Sequence, residues 1–188
     1  INSYVGNFVD KYSKIKTFLF SEERRNFYDV YFPLSLKGRN KNMQVPDNPD
    51  KLFAEHNFIT LLGHAGCGKT MILRHMFLSA CNKSCKIPLV IELRKLKGFD
   101  GSFKDFVADN VFKFKLSQNE KIFNCMLKTG KFMFLLDGYD EIAIGQKEVL
   151  THSLEKFFDC YPLNSYLLTS RPGANAETLE RFENYHVC

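Results

Sequence analysis

The feature that most constrains this chain is a glycine-rich segment that lies between two apolar segments. Residues 63–70 read GHAGCGKT, which fits the pattern G-x-x-x-x-G-K-[ST]. Phe58–Leu62 before it is a short apolar run typical of a buried strand. Residues 70–80 after it are apolar around most of the helical circumference, as in a helix packed on a sheet. This order of strand, glycine loop and helix predicts an α/β fold with a phosphate-binding loop.

Each part of the glycine loop has a physical role toward a polyphosphate. Glycines let successive backbone N–H groups point inward, and the following helix N-terminus adds partial positive charge. Lys69 would supply charge to the β- and γ-phosphates, and the Thr70 hydroxyl is a hard oxygen ligand for Mg²⁺. His64 and Cys67 occupy variable positions, where we expect backbone N–H groups to matter more than side chains. The candidate nucleotide-binding residues are Gly63, His64, Ala65, Gly66, Cys67, Gly68, Lys69, Thr70 and Met71.

A group of carboxylates follows another apolar run, at residues 132–136. Open α/β sheets bind ligands at the carboxyl ends of their strands, so Asp137 is a candidate Mg²⁺ ligand, directly or through a water. Either Asp140 or Glu141 would polarise the attacking water as general base, and we favour Asp140. The D-G-x-D pattern also occurs in solvated turns. Beside a phosphate loop it predicts the second half of a metal–nucleotide site.

A third candidate is Arg171, at the end of the segment LLTSRP at residues 167–172. A strand that ends in Thr-Ser-Arg places a guanidinium at the same sheet edge. The fixed fork of guanidinium donors suits the charge that develops on a γ-phosphate, so Arg171 is a candidate catalytic residue. On its own this segment would indicate a surface arginine before a proline turn.

Strand-like and helix-like segments alternate along the chain, which predicts a parallel sheet covered by helices on both faces. Residues 28–36 look strand-like and residues 38–49 look like a polar loop, so a lead-in at 1–50 precedes a nucleotide-binding domain at 51–188. A capping box at Ser117 and Glu120 opens one helix. Strands are predicted at 58–62, 87–93, 132–136, 166–169 and 185–188, and helices at 70–80, 102–112, 118–129 and 146–158.

Composition and charge exclude several other classes of protein. A hydrophobic fraction of 45%, a charged fraction of 25% and 6 prolines fit a folded domain rather than a disordered tail or a collagen-like repeat. The net charge of +5 supports nucleic-acid binding only weakly, because a binding patch needs clustered charge. Lys37, Arg39 and Lys41 flank Gly38 in what we interpret as a solvated loop. We therefore expect no nucleic-acid partner.

Cysteine usage and apolar run length bear on the compartment. The six cysteines include no CxxC pair, so we expect no zinc site but reduced, buried thiols in a cytoplasmic protein. The longest apolar run, residues 132–136, is far too short to cross a bilayer, and no basic-then-apolar leader precedes it. We expect no membrane partner. The start at Ile1 instead of Met indicates a segment of a longer protein.

Together the motifs resemble those of the NACHT family of STAND-class P-loop NTPases. GHAGCGKT is similar to the family's Walker A loop, FMFLLDGYDEI to its Walker B segment with Gly138 after the metal aspartate, and YLLTSRPG to its sensor 1 strand. The segment PLVIELR at residues 88–94 resembles the second strand of many bacterial members. Residues 31–34 resemble the lead-in to the nucleotide site. The resemblance covers roughly residues 28–188.

This resemblance implies an ASCE-type sheet of five parallel strands in the order 5-1-4-3-2. It also implies binding of ATP or GTP with Mg²⁺, slow hydrolysis and nucleotide-gated self-association. Family members continue into helical and winged-helix domains, and the chain stops before them, so the part that senses an unknown ligand lies outside it. Bacterial relatives often act in defence against phage and animal ones in innate immunity. An immune-defence role is therefore expected by analogy alone.

Three alternatives stay open at this stage. A metabolic P-loop kinase usually carries lid arginines, whereas the basic residues in 98–130 are all lysines. An AAA+ remodeller is weakly disfavoured by the small residue after Asp137. A binding module without chemistry is disfavoured because the full set of candidate reactive side chains is present: Lys69, Thr70, Asp137, Asp140 and Glu141.

Overall fold

The computed structural model describes residues 2–17, 20–39, 41–98, 101–113 and 120–188. The described helices are α1 Asn2–Ser13, α2 Phe27–Val30, α3 Pro49–Leu52, α4 Lys69–Lys83, α5 Phe103–Lys113, α6 Glu120–Lys128 and α7 Ile144–Cys160. The strands are β1 Lys14–Thr17, β2 Phe20–Asn26, β3 Ser35–Gly38, β4 Asn42–Gln44, β5 Phe58–Leu62, β6 Ile87–Glu92, β7 Phe132–Asp137, β8 Ser165–Ser170 and β9 Glu183–Val187. Short 3₁₀ helices occur at Leu93–Leu96, Tyr139–Glu141 and Ala176–Thr178.

Seven of the described strands form one sheet, in the order β4-β3-β9-β5-β8-β7-β6. The five strands from β9 to β6 are parallel to their neighbours. Strands β3 and β4 pair antiparallel at the β9 edge, and β1 with β2 forms a separate antiparallel pair. The fold is therefore α/β with a mostly parallel central sheet.

The predicted five-stranded sheet is wrong in strand count, because β3 and β4 extend it to seven and make it mixed. Its five parallel strands, numbered by their order in the chain, lie in the expected order 5-1-4-3-2. The two added strands fall where the sequence indicated a strand at 28–36 and a loop at 38–49. Pro33 has no N–H to donate to a ladder, and strand pairing begins only at Ser35. The residues before Pro33 form α2 instead, capped by the side chain of Asn26.

The central strands are predicted correctly because their apolar residues are consecutive or nearly so. Every residue of β5 and β8 is buried, as is every residue of β7 before its terminal aspartate. Successive residues of a strand point to opposite faces, so helices cover both faces of the sheet. Aromatic rings join the layers: Tyr166 stacks on Phe134 at 5.2 Å and on Phe58 at 4.8 Å, and Phe157 of α7 meets Phe134 edge-on at 5.4 Å between ring centroids.

The four predicted helices are present, with ends shifted by up to three residues at the described termini. The predicted cap residue Ser117 lies outside the described residues. A capping box does open α5, where Ser102 Oγ accepts from the Asp105 N–H and Asp105 Oδ2 accepts from the Ser102 N–H. Among the described residues, every helix is too short or too polar to span a bilayer.

Part of the lead-in packs directly on α4. Rings of Phe8 and Tyr12 in α1 contact Phe77 at 5.7 and 5.2 Å. The Tyr31 ring stacks on His75 at 4.6 Å, and His75 Nε2 lies 3.1 Å from the carbonyl oxygen of Pro46. Burial lowers the pKa of His75, which favours the neutral ring for this stacking. The domain boundary near residue 50 stays a prediction.

The six cysteines are all free thiols. The prediction of buried thiols is wrong, because four are exposed and the other two only partly buried. Cys160 ends α7, Cys188 follows β9 and Cys85 lies in the loop after α4. Element ends such as these offer little packing surface, so the apolar character of cysteine does not bury it there.

One buried amide ties three elements together at the start of β8. Asn164 is fully buried, and its Oδ1 accepts from the Phe132 N–H at 3.1 Å. Its Nδ2 donates to the carbonyl oxygens of Leu127 at 2.8 Å and Tyr161 at 3.1 Å. The side chain therefore satisfies backbone groups of α6, β7 and the turn after α7.

Replacement of this amide should be strongly destabilising. Asn164→Ala removes three buried hydrogen bonds, including the one that the Phe132 N–H donates, and we expect the free energy of unfolding to fall by about 3 kcal/mol. Urea denaturation followed by circular dichroism measures this change. The matched control Asn42→Ala, at an exposed position of β4, should shift the midpoint little. Equal midpoints for the two variants would contradict the structural role of Asn164.

Candidate nucleotide-binding site

The three predicted motifs meet at one edge of the sheet. Loop 63–68 follows β5, Asp137 ends β7 and Arg171 follows β8, and these strands are parallel neighbours. The register places Leu62 beside Ser170, and the Gly63 N–H donates to the Ser170 carbonyl oxygen at 3.2 Å. The first residue of the glycine loop is thus anchored to β8, the strand that carries Arg171 at its end.

The glycine loop packs closely on the lead-in. Gly68 has φ +97°, in the left-handed region, and a Cβ at this position would lie 2.5 Å from Leu34 Cδ1. Only glycine suits both the backbone and the space. Leu34, in the segment that resembles the family's lead-in, therefore lies beside the loop. Phe32 in this segment is 79% exposed.

Positive charge is concentrated where the loop meets α4. Lys69 Nζ donates to the carbonyl oxygens of Gly63 at 2.5 Å and His64 at 3.0 Å, so its ammonium lies within the curve of the loop. Gly68 has no side chain to cap the first N–H groups of α4. Those donors and the partial positive charge of a 15-residue helix face the same region. This arrangement suits an anion such as a polyphosphate.

Asp137 is oriented by a residue that we did not predict for the site. Thr169 Oγ1 donates to Asp137 Oδ1 at 2.7 Å and accepts from the Gly138 N–H at 2.9 Å. Thr169 is 1% exposed, so this pairing is shielded from water. The signal in the sequence was a hydroxyl residue directly after the apolar pair Leu167 and Leu168. Asp137 is half-buried and Thr70 exposed, and both present the hard oxygen atoms that Mg²⁺ requires.

Asp140 and Arg171, both candidate catalytic residues, form an ion pair. Asp140 Oδ2 lies 3.0 Å from Arg171 Nε, and Asp140 Oδ1 accepts from the Arg171 backbone N–H at 3.1 Å. The Asp140 side chain is 15% exposed and that of Arg171 58%. One carboxylate thus contacts both the main chain and the guanidinium of a single residue.

Glu141 belongs to a second group of charges at the same edge. Its Oε2 lies 3.8 Å from Arg94, whose guanidinium donates to Glu92 at 2.8 and 3.2 Å. Glu92 is the register partner of Asp137 on β6 and also receives a hydrogen bond from Lys95. Burial alone would raise the pKa of Glu92, but the hydrogen bonds from Arg94 and Lys95 outweigh it and hold this pKa below its usual range. Glu92 and Arg94 were also missed as site residues.

Gly138 is required for the position of Glu141. It has φ +79°, and a Cβ there would lie 3.1 Å from Glu141 Cδ and 3.3 Å from Glu141 Oε2. The Glu141 side chain therefore folds back over Gly138, the residue after Asp137. This close approach explains why a small residue follows the aspartate.

Two grooves in the described part of the chain lie away from this edge. These adjoining grooves of about 630 and 580 Å³ run along α7 and share His152, Glu155 and Thr178. Neither is lined by a residue of the glycine loop or by Asp137. The candidate site lies at the carboxyl ends of the parallel strands, with Met71 half-buried in the first turn of α4.

A glycine loop between β5 and α4, faced by an acid at the end of β7 in a parallel sheet, defines a P-loop NTPase domain. The family model of the NACHT domain matches residues 57–187, and the chain belongs to this family. The resemblance drawn from the sequence is thereby confirmed, as is a nucleotide-binding domain of the NTPase class. The roles of the individual site residues stay predictions.

Other comparisons add little. No curated protein matches the chain. Among solved structures, PCH-2 of C. elegans is similar with a TM-score of 0.42 and 16% sequence identity. The match covers 71% of this chain and 36% of PCH-2, so the chain spans little more than a third of that protein.

Gly138→Ala should destabilise the fold and displace Glu141. A left-handed alanine costs about 1–2 kcal/mol, so we expect the free energy of unfolding to fall by that amount. The control is Gly145→Ala in α7, where a Cβ meets no atom within 4 Å. Alanine in a helix is favoured by roughly 0.5–1 kcal/mol over glycine, so this control should stabilise. Urea denaturation of both variants measures the change in the free energy of unfolding. A change in the same direction for both would contradict the left-handed conformation of Gly138.

Proposed function

We propose that this domain binds ATP with Mg²⁺, hydrolyses it slowly and acts as a nucleotide-gated oligomerisation switch of a larger signalling or defence protein. The observation that carries the proposal is the meeting of Lys69 and the α4 N-terminus with Asp137 at one sheet edge. Positive and negative groups side by side suit a polyphosphate and a dication together. GTP is the alternative nucleotide. The switch and the defence role rest on family analogy.

Phosphate binding would fall to the loop and α4. The Lys69 ammonium already lies within the curve of the loop, where it donates to two carbonyl oxygens. A phosphate oxygen is a charged acceptor and forms the stronger hydrogen bond, so the flexible lysine would turn toward it. Backbone N–H groups of residues 64–70 would supply the remaining donors.

Thr70 and Asp137 would hold the metal ion. Thr169 fixes one Asp137 oxygen, which keeps the carboxylate in a single orientation toward this position. When bound, Mg²⁺ neutralises charge on the β- and γ-phosphates and thus favours cleavage between them. The predicted donor set of hydroxyl and carboxylate oxygens fits this ion and disfavours soft metals.

We assign water activation to Glu141, although the sequence favoured Asp140. A general base needs a carboxylate oxygen that can accept a proton from water. Both Asp140 oxygens face Arg171, whereas Glu141 is 47% exposed and its nearest charged partner, Arg94, is 3.8 Å away. Glu141 also folds over Gly138, the residue that follows the proposed metal ligand Asp137. These contacts support Glu141 in this role.

Arg171 would provide the switch. Its guanidinium would contact a γ-phosphate and nothing on a diphosphate, so binding energy would depend on which nucleotide is present. A conformational equilibrium responds only to such differential affinity. Self-association and the ligand that triggers it would involve further parts of the longer protein.

Loss of the loop ammonium should weaken nucleotide binding. We expect Lys69→Ala to raise the dissociation constant for ATP about 10- to 100-fold, since a charge-assisted hydrogen bond contributes roughly 1.5–3 kcal/mol. Titration with a fluorescent ATP analogue in Mg²⁺ measures this change. Lys83→Ala, at the exposed opposite end of α4, is the matched control and should bind like the wild type. Equal affinities for all three proteins would disprove the proposed nucleotide site.

Removal of the two acids should separate metal binding from chemistry. Glu141→Gln should slow ATP hydrolysis about 10²- to 10⁴-fold, as expected for loss of a general base, and keep Mg²⁺-dependent binding. Asp137→Asn should lose the Mg²⁺ dependence, because a neutral amide is a poor ligand for a hard dication. Single-turnover hydrolysis of radiolabelled ATP and titrations with and without Mg²⁺ measure the two effects. Unchanged turnover in Glu141→Gln would rule out the assigned base.

A further inference from the structure

The ion pair between Asp140 and Arg171 engages the group that the proposed switch needs. Asp140 Oδ2 lies 3.0 Å from Arg171 Nε, and Oδ1 accepts from the Arg171 backbone N–H. The carboxylate is largely buried at 15% exposure, whereas the arginine side chain is 58% exposed. Of the two partners, the arginine is therefore the one with room to move.

We infer that Asp140 and the γ-phosphate of ATP compete for the Arg171 guanidinium, so that Asp140 sets how strongly the site prefers ATP over ADP. This inference rests on the proposed function. Asp140 is then a positioning residue that acts through Arg171 and not a group that activates water. A nucleotide without a γ-phosphate leaves the ion pair in place, and one with it must draw the guanidinium away.

The two contacts of Asp140 have different fates in this exchange. Rotation about the side-chain bonds of Arg171 moves the guanidinium but leaves the backbone N–H where it is. The bond from Arg171 N–H to Asp140 Oδ1 therefore keeps the end of β8 fixed while the side chain changes partner. Arg171 lies immediately before Pro172, whose ring restricts the local backbone further.

If Asp140 competes for Arg171, its neutralisation should strengthen ATP binding. If Asp140 were a catalytic base, its neutralisation should impair the reaction instead. When Asp140 is neutralised, Arg171 no longer has to leave a carboxylate, so ATP binds more tightly and ADP does not. Loss of a nearby negative charge also favours both nucleotides through the general field of the site. When the ratio of ATP affinity to ADP affinity is measured with and without Arg171, the effect that acts through Arg171 is separated from the effect of the general field.

The experiment compares four proteins: the wild type, Asp140→Asn, Arg171→Ala and the double variant. Calorimetric titration with a non-hydrolysable ATP analogue and with ADP, in Mg²⁺, gives the affinity ratio. We expect Asp140→Asn to raise the ATP-to-ADP ratio about two- to fivefold, the scale of a partly exposed ion pair. Arg171→Ala should lower the ratio, and the double variant should match Arg171→Ala because Asp140 then has nothing to act on.

Two control variants test whether the change in ratio is specific to the carboxylate of Asp140. Glu155→Gln removes the same charge at an exposed position of α7, in grooves that no residue of the glycine loop lines, and should leave the ratio unchanged. Asp140→Ala is a second variant that should shift the ratio in the same direction as Asp140→Asn. Circular dichroism of each variant shows that the ratio is measured on folded protein.

Four outcomes decide the inference. A ratio raised by Asp140→Asn only when Arg171 is present supports it. An equal rise in the Arg171→Ala background, or lost hydrolysis in Asp140→Asn with an unchanged ratio, overturns it and leaves the proposed function intact. A wild type that binds neither nucleotide overturns both proposals.

Discussion

Parallel pairing of five neighbouring strands is the constraint on which the rest of the structure depends. Parallel strands bring all their carboxyl ends to one edge, so side chains separated by many residues in the chain become neighbours. Leu62 pairs with Ser170 across 108 positions, and Glu92 with Asp137 across 45. The pairing requires strands buried on both faces, which the apolar runs of β5, β7 and β8 provide. The stability of the sheet and the assembly of the site therefore have one cause.

The charged groups at this edge are arranged so that each has a counterpart within the protein. Lys69 donates to the carbonyl oxygens of its own loop, and Arg171 faces Asp140. Arg94 joins Glu92 to Glu141, so the acid at the end of β6 and an acid in the turn after β7 are linked through one guanidinium. A nucleotide that enters such a site must replace existing contacts, because the charged groups already have partners. Binding strength then reflects the difference between old and new partners, and that difference is where selectivity between nucleotides arises.

Features made of contiguous residues could be predicted from the sequence, whereas contacts between distant residues could not. The glycine loop, its flanking strand and helix, and the acids after β7 are contiguous in sequence, so their spacing alone identified them. The hydrogen bond from Thr169 to Asp137 joins residues on different strands, and the Asp140–Arg171 pair joins two turns. Such contacts depend on the register between strands, and a single sequence motif does not specify that register. The bounds of β3 and the presence of β4 were not predicted because these strands are only four and three residues long and are half polar, whereas β7 shows a longer apolar run.

The position of β9 has a consequence for how the chain folds. It lies between β3 and β5, and Leu36 pairs with Val187 across 151 positions. Contacts of such long range carry a large loop-closure entropy and slow folding. During synthesis the β3–β4 hairpin leaves the ribosome early but has no partner in the sheet until residues 183–187 emerge. The pairing of the lead-in with the sheet therefore depends on β9, whereas its ring contacts with α4 do not.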